Sequence, residues 1–202
     1  MKIFCVGRNY AKHAKELNNE VPSSPLIFMK PKTALLPNGL TFYYPEFSND
    51  IHYEGEIVVR ISKSIKSLEP SRVKDFIDGV SVGIDFTARD IQAKCKEKGH
   101  PWELAKSFDF SAAIGDFIDL DLEDISKSEI KVMKNGEQVQ HGSAQDMIFD
   151  IPTLVSFISH RFTLHRGDLI YTGTPAGVGP ITKGDVFEIY LNDKSLLVTD
   201  IK

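Results

Sequence analysis

Cysteine is scarce in this sequence: Cys5 and Cys95 are too few and too far apart for a disulfide framework or a C-x-x-C site, so both are expected to be ordinary thiols. Positive charge is not in excess either, since 24 Lys and Arg face 28 Asp and Glu for a net charge of -4, and nucleic acid is excluded as a natural partner. Long uncharged apolar runs are missing, which excludes membrane-spanning helices. The opening MKIFCVGRNYAKHAKE meets charge too early for a secretory segment, so the expected location is the cytoplasm. The glycine-rich stretch near the end lacks the GK[ST] ending of a phosphate loop. What is present is 42% hydrophobic residues in 202, enough for one full core, and residues 1–202 are read as a single domain.

β signals dominate. Strands are expected at Lys2 to Val6, Leu26 to Met29, Ile51 to Ile61, Val80 to Asp85, Ile130 to Lys134, Gln138 to Gln140, Asp168 to Thr172, Val186 to Leu191 and Ser195 to Thr199. Asn135-Gly136 predicts a two-residue hairpin turn, because both central positions need φ > 0. Helical periodicity is limited to Tyr10 to Leu17, Ser71 to Ile77, Arg89 to Lys98 and Pro152 to Phe162. Without regular βα alternation, the pattern points to a mixed α+β, mainly β architecture with short helices on its rim. The polar stretch NNEVPSSP, Asn18 to Pro25, follows the first helix and has the composition of a mobile lid.

The stretch HYEGEIVV, His52 to Val59, carries two carboxylates one residue apart. Strand alternation puts Glu54 and Glu56 on one face, roughly 6–7 Å apart, where they repel unless water screens them or a cation lies between them. His52 would share that face. Asp85, ending the apolar run VSVGID, is costly to bury alone, and the competing reading makes Asp85 or Thr87 the cap of the next helix. Taken with the two glutamates it completes a charge of about −3, which suits a hard divalent cation with oxygen ligands, Mg²⁺ or Mn²⁺. Zinc fits poorly because no Cys or second His stands at ligand spacing.

Other candidates surround these. His13 and Glu16 are three apart on one helix face, so the carboxylate can orient the imidazole, although a surface pair has the same spacing. Lys106, in PWELAKSFD, offers a cation among apolar neighbours to stabilise an enolate or carboxylate. Arg89 and Gln92 lie one turn apart after Asp85 and could hold a substrate carboxylate and carbonyl. In YTGTPAGVGP, Tyr171 to Pro180, glycine N–H groups can approach an anion, with Thr172 and Thr174 adding hydroxyls.

In this order, NYAKHAKE, HYEGEIVV, GIDFTARDIQ, PWELAKSFD, MIFDIPTLVSFIS and TGTPAGVGP resemble the fumarylacetoacetate hydrolase family, in particular its acylpyruvase and oxaloacetate decarboxylase branch. The resemblance implies a β-roll like the fumarylacetoacetase C-terminal domain, assembled as a homodimer, with Mg²⁺ (Mn²⁺ as the alternative) on Glu54, Glu56 and Asp85. It further implies a lid dyad at His13 and Glu16, an active-site lysine at Lys106, and substrate contacts from Arg89, Gln92 and Thr174. The implied reaction is hydrolysis of an acylpyruvate-type 2-oxo acid to pyruvate and a carboxylic acid through an enolate. Oxaloacetate decarboxylation or keto–enol tautomerisation in the same site is the alternative, and a non-enzymatic β-rich binding module the remote one. Gly55 departs from the resemblance, standing where a larger apolar residue is usual, and altered packing is expected there.

Overall fold

Two neighbouring strands with opposite side-chain alternation on their two faces organise this protein. The computed structural model describes residues 1–16 and 20–202. Along the chain run β1 (Ile3–Gly7), α1 (Ala11–Glu16), β2 (Leu26–Lys30), β3 (Leu35–Pro37), β4 (Ile51–Tyr53), β5 (Gly55–Ile61), β6 (Ile77–Asp85) and β7 (Thr87–Ala88). Then follow α2 (Arg89–Lys98), α3 (Glu103–Lys106), β8 (Ala112–Ile114), α4 (Leu122–Ile125), β9 (Glu129–Lys134), β10 (Glu137–Ser143) and α5 (Ile151–Arg161). The chain closes with β11 (Leu169–Tyr171), β12 (Gly179–Pro180), β13 (Val186–Leu191) and β14 (Lys194–Asp200).

A curled seven-stranded mixed sheet in the order β2-β1-β11-β5-β6-β8-β3 carries β5 and β6 at its centre. On one face Ile57, Val59, Val80, Val82 and Ile84 join the large core, which also takes Ile130 and Val132 from β9 and Phe187 and Ile189 from β13 of a four-stranded sheet. The other face alternates Glu56 and Val58 on β5 with Ser81, Gly83 and Asp85 on β6, which leaves space over Gly83. Tyr171 fills that space: a Cβ on Gly83 would stand 2.5 Å from its ring and 2.6 Å from the Ala113 carbonyl.

Most expected elements form, with differences that have local causes. The strand read as Ile51 to Ile61 is two strands. β4 and β7 pair with each other beside β12, whereas β5 and β6 are flanked by β11 and β8, so the ribbon changes sheet at Glu54 and Phe86. Asp85 N–H still donates to the Glu54 carbonyl at 2.8 Å across this bend. Neither Asp85 nor Thr87 caps α2, whose N-cap is Ala88. The helix read as Ser71 to Ile77 is a 3₁₀ segment, Pro70–Phe76, and Ile77 already belongs to β6. Asn135 and Gly136 turn the β9–β10 hairpin with φ of 53° and 81°. Leu17, read as the end of the first helix, lies outside the described residues, as do Asn18 and Asn19 of the lid-like stretch.

Gly55 faces away from the carboxylates, as its alternation requires. Its N–H donates to Gln140 Oε1 at 2.9 Å, and a Cβ there would overlap the Val132 side chain of β9. A larger residue is therefore excluded by the neighbouring sheet. Gly55→Val is expected to cost about 1–3 kcal/mol, the scale of overpacking a core. Val132→Ala in the same chain should recover at least half of the loss in urea unfolding midpoint. A Gly55→Val protein as stable as the wild type would contradict this packing.

Candidate functional site

The bend places three carboxylates at one point. Glu54 stands opposite Asp85, Glu56 opposite Gly83, and all three acidic side chains share one face of the β5–β6 pair. One oxygen from each lies within 4.8 Å of the others, and the residues are 6%, 1% and 1% exposed for Glu54, Glu56 and Asp85. At an effective dielectric near 20, each such pair repels by about 3 kcal/mol or more. Cations offset part of this.

Lys106, from the short helix α3, sends Nζ to Glu54 Oε2 at 2.8 Å, Asp85 Oδ2 at 2.7 Å and Thr87 Oγ1 at 2.6 Å. It is thus held by the carboxylates themselves, where the sequence reading left it facing a substrate. Arg89, first residue of α2, donates Nη2 to Glu54 Oε1 at 2.6 Å and Nη1 to Gln92 Oε1 at 2.7 Å. The expected Arg89–Gln92 neighbourhood is real, and the guanidinium is anchored to Glu54. Lys30, at the end of β2, places Nζ 2.8 Å from Asp85 Oδ1 and donates to the Ser111 carbonyl at 3.0 Å, Ser111 Oγ at 2.9 Å and the Lys106 carbonyl.

These contacts set the protonation of the cluster. Burial would raise the Glu54 carboxyl, but Lys106 and Arg89 outweigh it and hold Glu54 well below the usual carboxylate range. Glu56 moves the other way: burial, then the charges of Asp85 and Glu54, push it well above the usual value, with the Gly173 N–H the main opposing contact. Burial disfavours the Lys106 ammonium, but Asp85 and Glu54 prevail and raise it. Among the described residues Glu56 has no cation partner; its Oε2 accepts from Gly173 N at 2.7 Å. Asp85 Oδ1 finds no well-directed hydrogen bond despite the nearby Lys30. An all-oxygen set, with one buried carboxylate lacking a cation and lone pairs still open on the others, fits a hard divalent cation.

Around the carboxylates the cleft is lined by Val6, Gly7, Arg8, His13, Phe28, Arg89, Gln92, Lys96, Trp102, Lys106 and Thr174. His13 is buried on α1, and Glu16 Oε2 lies 3.2 Å from its Nδ1. The other Glu16 oxygen accepts from Gly177 N at 3.0 Å. Both glycine N–H groups of the TGTPAGVG stretch that meet an anion therefore meet the protein's own carboxylates, Glu56 and Glu16, and Gly173 and Gly177 take φ of 103° and 101° to do so. Thr172 Oγ1 donates to the Ile57 carbonyl and is not available to a ligand. Thr174 stays in the cleft, its Oγ1 accepting from Gln140 Nε2 at 2.9 Å. His52 is turned out of the site, with Nε2 2.9 Å from Asp50 Oδ1.

Sequence reasoning missed three positioning residues. Lys30 sits in LIFMK, where a terminal lysine reads as the polar end of a strand, yet it is 2% exposed. Gln140 joins β10, β5 and the Thr174 loop through Gly55 N, Thr174 Oγ1 and the Pro175 carbonyl. Asn9 ties the ends of β1 and β11 to the segment before α5, donating to the Thr172 and Phe149 carbonyls and accepting from Phe149 N. The one signal available was the polar residue set inside an otherwise apolar or aromatic run.

The whole chain matches known proteins. The family model described as Fumarylacetoacetate (FAA) hydrolase C-terminal matches residues 2–202. Human oxaloacetate tautomerase FAHD1, mitochondrial, is 41% identical over 187 residues, covering 92% of this chain and 85% of that protein. The mitochondrial oxaloacetate decarboxylase of Dictyostelium discoideum is 41% identical over 189 residues, covering 93% and 87%. Among solved structures, fumarylpyruvate hydrolase from Pseudomonas aeruginosa in complex with Mn²⁺ and pyruvate superposes with a TM-score of 0.91 at 33% identity, covering 100% of this chain and 89% of that one. With a mainly β curled sheet, short helices and this coverage, the chain belongs to the fumarylacetoacetate hydrolase family.

Proposed function

We propose that this chain is a divalent-metal-dependent hydrolase of acylpyruvate-type 2-oxo acids, releasing pyruvate and a carboxylic acid through a pyruvate enolate. The observation that carries this reading is the convergence of three buried carboxylate oxygens within 4.8 Å in a cleft lined by the buried His13, itself paired with the more exposed Glu16. Glu54, Glu56 and Asp85 would hold Mg²⁺ or Mn²⁺, which when bound polarises a 2-oxo group and offsets developing negative charge. The pyruvate and Mn²⁺ in the Pseudomonas aeruginosa structure support that choice of ligand.

The chain's own groups account for the remaining steps. With Nδ1–H donated to Glu16, the His13 Nε2 is left as the acceptor that takes a proton from water. That water attacks the distal carbonyl carbon, the C–C bond to the pyruvate carbon breaks, and its electron pair becomes the enolate, which a proton then quenches. Lys106 keeps a positive charge beside the substrate end of the cleft and stabilises that enolate. Thr174, whose oxygen is engaged by Gln140 Nε2, can turn its proton to the substrate, and Arg89 and Gln92 shape the wall beside Glu54.

A second reading, oxaloacetate tautomerisation or decarboxylation, is favoured by the names of the Homo sapiens and Dictyostelium discoideum relatives. It uses the same enolate and needs no attacking water. Assembly as a homodimer belongs to the same proposal, supported by the exposed apolar side chains Tyr43, Phe47, Leu104 and Phe110. So does a cytoplasmic location, although those two relatives are mitochondrial; among the described residues no helix is long and apolar enough to cross a membrane.

His13→Ala is expected to lower acylpyruvate hydrolysis by about 10²-fold or more, while oxaloacetate decarboxylation on the same preparation falls much less. Equal losses would remove the water-activating role. Lys30→Met should lower the unfolding free energy by about 3 kcal/mol in urea melts, because it removes one of the two buried ammonium groups that meet Asp85 and leaves Lys106 as its sole counter-ion among the described residues. An unchanged midpoint would show that Lys30 is dispensable to the cluster.

A further inference from the structure

α1 is too short to fix the His13–Glu16 pair by itself. It has six residues, with Glu16 the last of them, and a helix of that length is not held by its own hydrogen bonds. A glutamate side chain there samples several rotamers unless both oxygens are tied. One oxygen lies 3.2 Å from His13 Nδ1, and the other is tied from outside the helix, accepting from Gly177 N–H at 3.0 Å. The orientation of the imidazole therefore depends on what holds Gly177.

Gly177 is held from two sides. Its φ of 101° is open to glycine, and a Cβ there would overlap the Val139 carbonyl oxygen, so its backbone lies directly on β10. From the other side its carbonyl accepts from the Tyr53 hydroxyl at 2.9 Å. Tyr53 ends β4, one residue before Glu54, and is 5% exposed. Its ring packs against Phe187 of β13 with centroids 5.0 Å apart. It also packs against Gly179, its antiparallel partner on β12, where a Cβ would stand 3.1 Å from the hydroxyl oxygen. A phenylalanine would serve this packing equally well; what the hydroxyl adds among the described residues is the bond to Gly177.

Three hydrogen bonds thus run in series from the core to the imidazole: Tyr53 to the Gly177 carbonyl, Gly177 N–H to Glu16, and Glu16 to His13 Nδ1. We propose that Tyr53 is a positioning residue for the His13–Glu16 pair, acting through the two peptide groups that flank Gly177. The inference rests on the functional reading above, in which His13 takes a proton from the attacking water. Without the Tyr53 hydroxyl the Gly177 loop loosens, Glu16 leaves Nδ1 more often and the ring turns away from the water, while Glu54, Glu56 and Asp85 keep their places.

The test is Tyr53→Phe, which keeps the ring and removes the bond. With saturating Mn²⁺, kcat for acetylpyruvate hydrolysis should fall about three- to tenfold, the worth of one hydrogen bond, with KM changed by less than about twofold. Oxaloacetate decarboxylation, which needs no attacking water, should be unchanged. In a Glu16→Ala background the added Tyr53→Phe should cost little more, because its effect passes through Glu16. Hydrogen exchange at the Gly177 amide, read without substrate, should speed up in Tyr53→Phe and in Glu16→Ala alike. Wild-type hydrolysis or unchanged Gly177 exchange in Tyr53→Phe would overturn the assignment. So would an equal loss of both reactions, which marks a general structural defect, or an undiminished loss in the Glu16→Ala background, which places the action of Tyr53 elsewhere. Wild-type protein that hydrolyses no acetylpyruvate, with Gly177 exchange still faster in Tyr53→Phe, would overturn the functional reading and leave the link from Tyr53 to Glu16 standing.

Discussion

Three carboxylates buried within reach of one another cannot be held together by packing alone. Their mutual repulsion, about 3 kcal/mol or more for each pair, is a sizeable share of the 5–15 kcal/mol that stabilises an ordinary domain. The fold answers with three cations brought from separate elements: Lys30 from β2, Arg89 from α2 and Lys106 from α3. Lys30 ends β2, Arg89 opens α2 and Lys106 ends α3, so each element brings a charged end to Glu54 or Asp85. Glu56 stands apart, met by the Gly173 N–H and by no cation among the described residues. Burial and the neighbouring carboxylates disfavour its charged form, so Glu56 is the member of the cluster that a bound divalent cation would most help to ionise.

The bend in the β5–β6 ribbon makes this geometry available. Because the two strands exchange neighbours at Glu54 and Phe86, their ends leave the seven-stranded sheet and open a cleft instead of continuing into the core. α1 covers one side of the cleft through His13, and the loop after β11 covers another, fastened to α1 by the Gly177–Glu16 hydrogen bond. The same loop fastens the floor through Gly173 and Glu56. One connection thus links the cation-binding face to the helix that carries the imidazole, so displacement of either changes both.

Much of this was legible in the sequence, for reasons that differ by residue. Period-two alternation is local, and it placed Glu54 and Glu56 on one face and Gly55 on the other. The turn chemistry of Asn135-Gly136 and the helix over Arg89 to Lys98 are likewise local, and both match the structure. What failed was whatever depends on a neighbour far along the chain. The interruption of the Ile51 to Ile61 strand arises from sheet exchange, and nothing in HYEGEIVV signals it. Lys30 looks like any strand-terminal lysine until Asp85, 55 residues on, is placed beside it. The partners of Lys106 were illegible for the same reason: its apolar context marked an unusual cation, but the two carboxylates that hold it come from distant parts of the chain.

Glu56 offers the cleanest access to the central claim, since changing it breaks no ion pair among the described residues. Titration of the folded protein with Mn²⁺, followed by calorimetry, should give one site per wild-type chain. In Glu56→Gln that site should be lost or weakened by at least about tenfold, while the far-ultraviolet circular dichroism is retained and the urea midpoint is unchanged or higher, because one buried repulsion has been removed. A folded Glu56→Gln protein that binds Mn²⁺ as tightly as the wild type would contradict the account.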